Sequence, residues 1–355
     1  MTNSWREAPA SGIWCNLQAD DALLKQASAG AVSRPSRAVL TIATGKWVYL
    51  DMAIALARSF LWWHRDSNIE FCIATDIVGP LPADMARVKV LRFQPGELGH
   101  GFSMKLKLDQ LAPAEQTLFV DADCLCMGPL ESVFDRFAGH AVSVVGSAIG
   151  QGEWFGDVAR TCRQFGVPAI PKFNGGVYYL ERGELSSRVY ERARRLEDDY
   201  DAIGLVRLRG SPNEELLMAI SMAVEGCSGI EDDGSIHGEL FASPVLLGVD
   251  VLRGHARLRN PPASDKAHRP GYPVRDISPV IVHFLGDFTR KWRYRGEEKV
   301  LRLVSLRAIP AGLARTWINL SFRYPAMAVE WLRDFLRPAY RKLFGLRAVR
   351  PSDRA

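Results

Sequence analysis

Thr117-Leu118-Phe119-Val120-Asp121-Ala122-Asp123-Cys124-Leu125-Cys126-Met127 is the stretch on which the reading of this chain turns. Thr117–Val120 reads as a short buried strand that stops abruptly at two carboxylates, and a second apolar run follows at once. In open α/β sheets, ligands bind beyond the carboxyl ends of the strands, where strand order reverses. Asp121 and Asp123 are expected at such an end. The tripeptide alone says little, because 22 Asp in 355 residues give roughly one Asp-x-Asp by chance. A second, Asp199-Tyr200-Asp201, falls at the charged end of an expected helix and reads as a solvated terminus. Context separates the two: paired carboxylates in an apolar setting are costly unless they are matched by a cation or a metal.

Outward from this point a βα rhythm appears. Strands are expected at Ala38–Ala43, Ile69–Ala74, Val88–Phe93, Ala141–Val145, Val177–Leu180 and Val280–Phe284. Helices are expected at Val48–His64, Ser103–Leu111, Leu130–Phe137, Ser186–Tyr200 and Asn213–Val224. Residues 226–279 are richer in Gly and Pro and give no clear pattern. The fold class is therefore α/β, a mostly parallel central sheet flanked by helices. The first 36 residues read as an N-terminal extension, 37–300 as the catalytic domain and 301–355 as a basic, helical tail.

The chain is long and apolar enough (47%) to bury a sizeable core. Its net charge of +5 is unevenly placed: residues 301–355 hold 11 Lys/Arg against 3 Asp/Glu, which leaves the first 300 at about −3. A general nucleic-acid-binding body is excluded on that ground. None of the six cysteines forms a C-x-x-C pair, and most lie in apolar stretches, which fits reduced thiols in a cytoplasmic protein. No leader peptide is visible, and the best apolar run, Met52–Trp63, is broken by Arg58 and is too short to span a bilayer.

A chemistry that needs this acidic pair is departure of a nucleotide diphosphate, whose charge a hard divalent cation neutralises through oxygen ligands. The segment Lys105–Pro129 resembles family 8 glycosyltransferases, the group that includes glycogenin and bacterial lipopolysaccharide galactosyltransferases. The resemblance runs in patches from Arg37 to Arg295. It implies a GT-A fold, a nucleotide-sugar donor (commonly UDP-linked), Mn2+ or Mg2+ as cofactor, and transfer with retention. It also implies roles: Asp121, Asp123 and His283 (in Val282-His283-Phe284-Leu285-Gly286) as metal ligands, and Thr44, Tyr49, Lys105, Gly175, Gly176 and Gly286 as donor-binding positions. Asn174, in Phe173-Asn174-Gly175-Gly176-Val177, falls near the donor sugar; without the resemblance, that segment is equally a plain turn. Lys107 competes with Lys105 for a phosphate-facing role.

Two departures from the family pattern stand out. Its Lys-Pro-Trp after the His-x-x-Gly element is replaced by Asp287-Phe288-Thr289-Arg290-Lys291-Trp292, so either Arg290 or Lys291 is the expected phosphate contact. Its Asp-Gln pair falls near Asn213-Glu214-Glu215, where Glu214 and Glu215 are candidates for the sugar-facing catalytic position or, alternatively, plain acids at a helix N-terminus.

In the tail, Trp317, Phe322, Trp331, Phe335, Tyr340 and Phe344 interleave with Arg323, Arg333, Arg337, Arg341 and Lys342. Val329, Leu332, Phe335, Leu336 and Leu343 fall broadly on one helical face. This suits either an anionic membrane surface, with a lipid-linked or other saccharide acceptor at the inner face of the cytoplasmic membrane, or a helix packed on the domain. Two other functions fit the sequence less well. A nucleotidyltransferase would show a Gly-rich phosphate loop, of which Gly45-Lys46 is a weak shadow. A non-catalytic nucleotide-sugar-binding protein has no need of the full ligand set.

Overall fold

The computed structural model describes residues 35–208 and 210–345; the N-terminal stretch with Cys15, and the last ten residues, lie outside them. The first nine strands are β1 (Arg37–Ile42), β2 (Glu70–Thr75), β3 (Val88–Arg92), β4 (Gln116–Val120), β5 (Cys124–Cys126), β6 (Val142–Ser143), β7 (Gly146–Ile149), β8 (Ile170–Phe173) and β9 (Val177–Glu181). Six of them form the main sheet in the order β3-β2-β1-β4-β9-β6. β3, β2, β1 and β4 run parallel, and β9 is antiparallel to both β4 and β6. The expected mostly parallel sheet is present, with one reversed strand. From β1 the chain goes outward to β2 and β3 on one side and then returns to β4 on the other. Strand order reverses between β1 and β4, and Asp121 follows the last residue of β4.

Both faces of this sheet are covered, so its central strands read as continuous apolar runs rather than alternating ones. Alternate residues nevertheless feed two separate cores. Val39, Phe71, Ile73, Leu118, Val120 and Tyr179 pack on one side, and Leu40, Cys72, Phe119, Tyr178 and Leu180 on the other. Helix α1 (Trp47–Trp63) buries nearly every residue from Leu50 to Phe60. Arg58, which interrupts that apolar run, is buried with its charge matched by Asp84 at 2.7 Å. Ser59 Oγ accepts the Cys126 N–H (2.9 Å) and ties α1 to β5.

Helices α2 (Glu131–Phe137), α3 (Val158–Phe165), α4 (Glu184–Asp198) and α5 (Glu214–Val224) follow. Two expected elements change form. The helix expected at Ser103–Leu111 is a 3-10 segment, Gly101–Lys107, followed by one α-turn; the Lys105 carbonyl accepts from Leu108 N–H, an i→i+3 bond. The strand expected at Ala141–Val145 is only β6. Beyond Ser143 the chain leaves β9, and the Val144 carbonyl accepts from Ile230 N–H (2.8 Å) instead.

The Gly/Pro-rich segment that gave no pattern holds β10 (His237–Glu239), β11 (Val245–Asp250), β12 (His255–Asn260) and β13 (Arg275–Ile277), and β14 (Ile281–His283) comes next. β11, β12 and β13 make an antiparallel sheet of their own. β10, β14 and β5 make another, in which β14 runs parallel to β10 and antiparallel to β5.

Helix α6 (Trp292–Arg307) crosses the expected tail boundary at 300 and leads into α7 (Ala311–Ile318), a π-turn (Asn319–Arg323) and α8 (Tyr324–Phe344). The base of this region is locked by Glu297, fully buried, which accepts from Val251 N–H (2.9 Å), from Arg315 (2.7 and 2.9 Å) and from Arg323. α8 itself has no buried residue. Among the described residues, its polar anchor to α6 is Glu330, which accepts the Trp292 indole N–H (2.7 Å) and faces Arg293. Among the described residues little covers this helix: Trp331 and Phe335 are 66% exposed and Phe344 71%. Among the described residues, no helix is long and apolar enough to cross a membrane.

Candidate active site

The acidic turn is built from three directions. Asp121 N–H donates to the Gly176 carbonyl (2.9 Å), and Cys124 N–H donates to the Asp121 carbonyl (3.0 Å), closing a tight turn between β4 and β5. Because β5 pairs with β14, His283 stands opposite Cys124, and Phe284 N–H donates to the Asp123 carbonyl (3.0 Å). Because β9 starts beside the end of β4, the Asn174–Gly176 turn lies against Asp121.

These pairings bring together Asp121, Asp123 and His283, whose ligand atoms all lie within 4.8 Å of one another. His283 Nε2 is 2.9 Å from Asp123 Oδ1 and 3.7 Å from Asp121 Oδ2. The tautomer follows from the surrounding bonds. Gly176 N–H donates to Asn174 Oδ1 (2.9 Å), and Asn174 Nδ2 donates to Glu239 Oε2 (2.6 Å), so the amide orientation is fixed. Asn174 Oδ1 then accepts from His283 Nδ1 (3.0 Å), and in the neutral ring Nε2 carries the lone pair that faces the carboxylates. Two carboxylates and an imidazole lone pair are a donor set that a Mn2+-like ion accepts.

Lys105 is nearly buried, and its ammonium meets Asp121 Oδ2 (2.9 Å), the Gly175 carbonyl (2.9 Å) and Glu214 Oε1 (3.1 Å). All three of its N–H donors are thus engaged with the site's own acceptors. Lys107 points elsewhere, to the Glu97 carbonyl (2.8 Å), so Lys105 is the one of the two that faces the acidic turn. Glu214 and Glu215 open α5, with Asn213 as N-cap: its side-chain Oδ1 accepts the Glu215 N–H (3.1 Å), and its own N–H donates to the Tyr200 hydroxyl (3.2 Å). Glu215 Oε1 accepts the Gly175 N–H (2.7 Å). Both glutamates therefore line the site and are not merely solvated helix-end acids.

The reason for Gly175-Gly176 is space. A Cβ on Gly175 would lie 2.7 Å from Glu214 Oε1, and one on Gly176 would lie 2.5 Å from His283 Nδ1. Close approach, not turn flexibility, requires these two glycines.

Charge is unbalanced here. Asp121, Asp123, Glu214, Glu215 and Glu239 outnumber the nearby lysines, Lys105 at the turn and Lys172 beside Glu239, and the carboxylates respond. Burial, with Glu214 alongside, pushes Glu215 up to about 8, and burial pushes Glu239 up to about 7. Glu214 is also raised, by burial against the opposing pull of Lys105. Asp123 is held below its usual range despite burial, because His283 and Lys105 favour its charge. For His283, burial opposes the charged form, but Asp123 and Asp121 raise its affinity for a proton. A bound cation would relieve this excess of negative charge.

The remaining expected positions are more peripheral. Thr44, past the end of β1, directs its hydroxyl to Met104 Sδ (3.0 Å), and Tyr49 is half-buried in α1. Gly286 needs its glycine for a left-handed φ of 55°. Arg290 is exposed beside Asp287 (3.7 Å), and Lys291 is the N-cap residue of α6; neither makes a hydrogen bond or ion pair with the acidic turn. Asp201 pairs with Arg207 (2.7 Å) at the surface, as its reading as a solvated terminus expects. Glu239 is a site residue that the sequence did not disclose. It ends a three-residue strand in the unpatterned segment and reaches Asn174 only through the pairing of β10 with β14.

No family model matches this chain, and no curated relative does. Among solved structures, it is similar to the galactosyltransferase LgtC in complex with donor and acceptor sugar analogs, at 13% identity over 70% of this chain and 87% of that one, with a TM-score of 0.46. It is also similar to mouse xyloside xylosyltransferase 1 in its apo form (14% identity, 71% and 99% covered, TM-score 0.44). The glycosyltransferase GlyE of Streptococcus pneumoniae TIGR4 matches less of the chain (13% identity, 56% and 45% covered, TM-score 0.38).

Proposed function

We propose that this chain is a glycosyltransferase of GT-A type that moves a sugar from a nucleotide sugar, UDP-linked, to a saccharide or lipid-linked acceptor with retention. The observation that carries this reading is the convergence of Asp121, Asp123 and the His283 lone pair at the point where strand order reverses. These three would hold Mn2+ or Mg2+. Such an ion supplies positive charge to the oxygens of a departing nucleotide diphosphate.

The chain's own residues then divide the work. Asn174 fixes the His283 tautomer. Lys105 keeps Asp121 and Glu214 in place, and its positive charge offsets part of the carboxylate repulsion that an incoming diphosphate would meet. Glu214 and Glu215 border the position beside Gly175 where a donor sugar would lie, and Thr44, Tyr49 and either Arg290 or Lys291 are the donor contacts farther out. No protein nucleophile is assigned. Catalysis in this scheme is electrostatic stabilisation together with positioning of the acceptor hydroxyl.

The test is nucleotide release from a panel of sugar nucleotides in Mn2+. Slow release from one donor, abolished by chelation, supports the reading. No release from any donor, with no metal-dependent binding of UDP, removes it and leaves only the fold.

We further infer that α8 docks on an anionic, cytoplasm-facing membrane surface. Its apolar side chains face outward, and Arg333, Arg337, Arg341 and Lys342 outnumber Glu330 and Asp334 on the same helix.

A further inference from the structure

Next to the acidic turn lies a patch that the scheme above does not use. Lys172 stands two residues before Asn174, on β8, and Phe241 two residues beyond Glu239, past the end of β10. Asn174 and Glu239 are hydrogen-bonded to each other, so these two neighbours extend from one point of the site. The Lys172 ammonium lies 5.2 Å from the centre of the Tyr272 ring, and the Arg269 guanidinium 5.2 Å from that of Phe241. The two rings meet edge to face with centroids 6.0 Å apart. The sequence is cation, ring, ring, cation.

The patch is held in place. Buried Asn260 offers Nδ2 to the carbonyls of Arg269 (3.1 Å), Tyr272 (3.0 Å) and Pro273 (3.2 Å), and its Oδ1 accepts the Arg269 N–H (2.9 Å). The loop that carries Arg269 and Tyr272 is therefore anchored from below. Yet neither the Lys172 nor the Arg269 side chain makes a hydrogen bond or salt bridge among the described residues. Phe241 stays half exposed. A pair of aromatic rings with two cations that make no hydrogen bond or ion pair among the described residues, Lys172 acting on Glu239 only at longer range, fits a ligand that is flat and apolar on one side and anionic at an edge.

We propose that Tyr272 and Phe241 form the wall of an acceptor subsite, in which Lys172 and Arg269 recognise an anionic group, phosphate or carboxylate, on the acceptor saccharide. This rests on the glycosyltransferase reading. The aromatic faces take the C–H side of a sugar ring, and the two cations select acceptors by charge.

The experiment compares a sugar phosphate, an acidic sugar and their neutral parent sugar as acceptors, with the unaltered protein and with Lys172→Met/Arg269→Met, which keeps apolar stems against the rings. The unaltered protein should favour both anionic acceptors over the neutral one by about tenfold or more in kcat/KM, the scale of one charge-assisted hydrogen bond. The double variant should erase that preference. Preference for only one of the two anionic acceptors identifies which group the cations read. Equal use of neutral and anionic acceptors by the unaltered protein overturns the proposal. So does a preference that survives in the double variant, and so does a double variant whose defect is weaker UDP binding, because the cations would then serve the donor diphosphate. If the unaltered protein releases no nucleotide from any donor, the glycosyltransferase reading fails separately. Calorimetric titration of the sugar phosphate into both proteins still decides the subsite: tighter binding to the unaltered protein supports it, and equal or absent binding overturns it.

Discussion

The acidic turn and the C-terminal helix are opposites in construction. At the turn, the backbone is held by Gly176 on one side and Phe284 on the other, His283 is oriented by Asn174, and Lys105 is engaged by three acceptors. α8, in contrast, buries no residue and, among the described residues, is anchored to α6 through Glu330 in its first third. A site that must place charge to within a fraction of an ångström needs interlocking bonds. A surface that meets lipid needs only an apolar face and a basic flank, because a bilayer has no fixed shape to match. The joint between the two is the buried Glu297 cluster with Arg315 and Arg323, which secures the base of the helical tail to the body.

The contrast can be broken most sharply at the turn. Asp123→Ala is expected to lower transfer by about a thousandfold or more, since it removes a ligand to a cation worth several kcal/mol of charge stabilisation. Circular dichroism and melting should show the fold retained. Near-normal turnover by this variant would mean that the turn is not the reaction centre. A smaller effect is expected from Gly176→Ala, which touches no ligand atom of the ion directly. Its Cβ would crowd His283 Nδ1 at 2.5 Å. Disturbing a group that orients a ligand typically weakens metal binding by about 10–100-fold. Mn2+ titration followed by electron paramagnetic resonance measures it, and unchanged affinity would show that His283 lies outside the coordination sphere.

At the other region, deletion after Arg323 is expected to abolish flotation with vesicles rich in anionic lipid while nucleotide release continues. Equal flotation of the full and shortened chains would assign α8 some other partner.

The smallest effect is in pH. His283 is raised above its ordinary value by Asp123 and Asp121, and a metal ion must displace the proton from Nε2. Below the raised pKa the proton competes, so Mn2+ affinity should rise with pH through that pKa and level off above it. A flat profile, or one that falls with rising pH over this range, would contradict the assignment of His283 as a ligand.

How much of this was legible beforehand depended on sequence separation and on pattern. Asp121 and Asp123 were readable because an apolar strand ends at them; His283 was marked only through the family resemblance, because a lone His after Ile281-Val282 otherwise reads as a core residue. The two lysines at 105 and 107 were not separable by sequence, since only the 3-10 winding of that segment settles which one turns inward. Gly175 and Gly176 were marked for turn freedom, whereas close approach to Glu214 and His283 is what requires glycine there. Glu239 was invisible: a three-residue strand has no period to detect, and its contact with Asn174 spans 65 residues. The same holds for Tyr272 and Arg269, which lie in a loop whose shape is set by one buried asparagine.

The most direct test of the central claim is calorimetric titration of UDP into the intact protein, once with Mn2+ and once with the metal chelated. Binding that requires Mn2+ and is lost in Asp123→Ala is the predicted result. UDP binding of equal strength with the metal removed would contradict a cation held by Asp121, Asp123 and His283 as the seat of the nucleotide diphosphate.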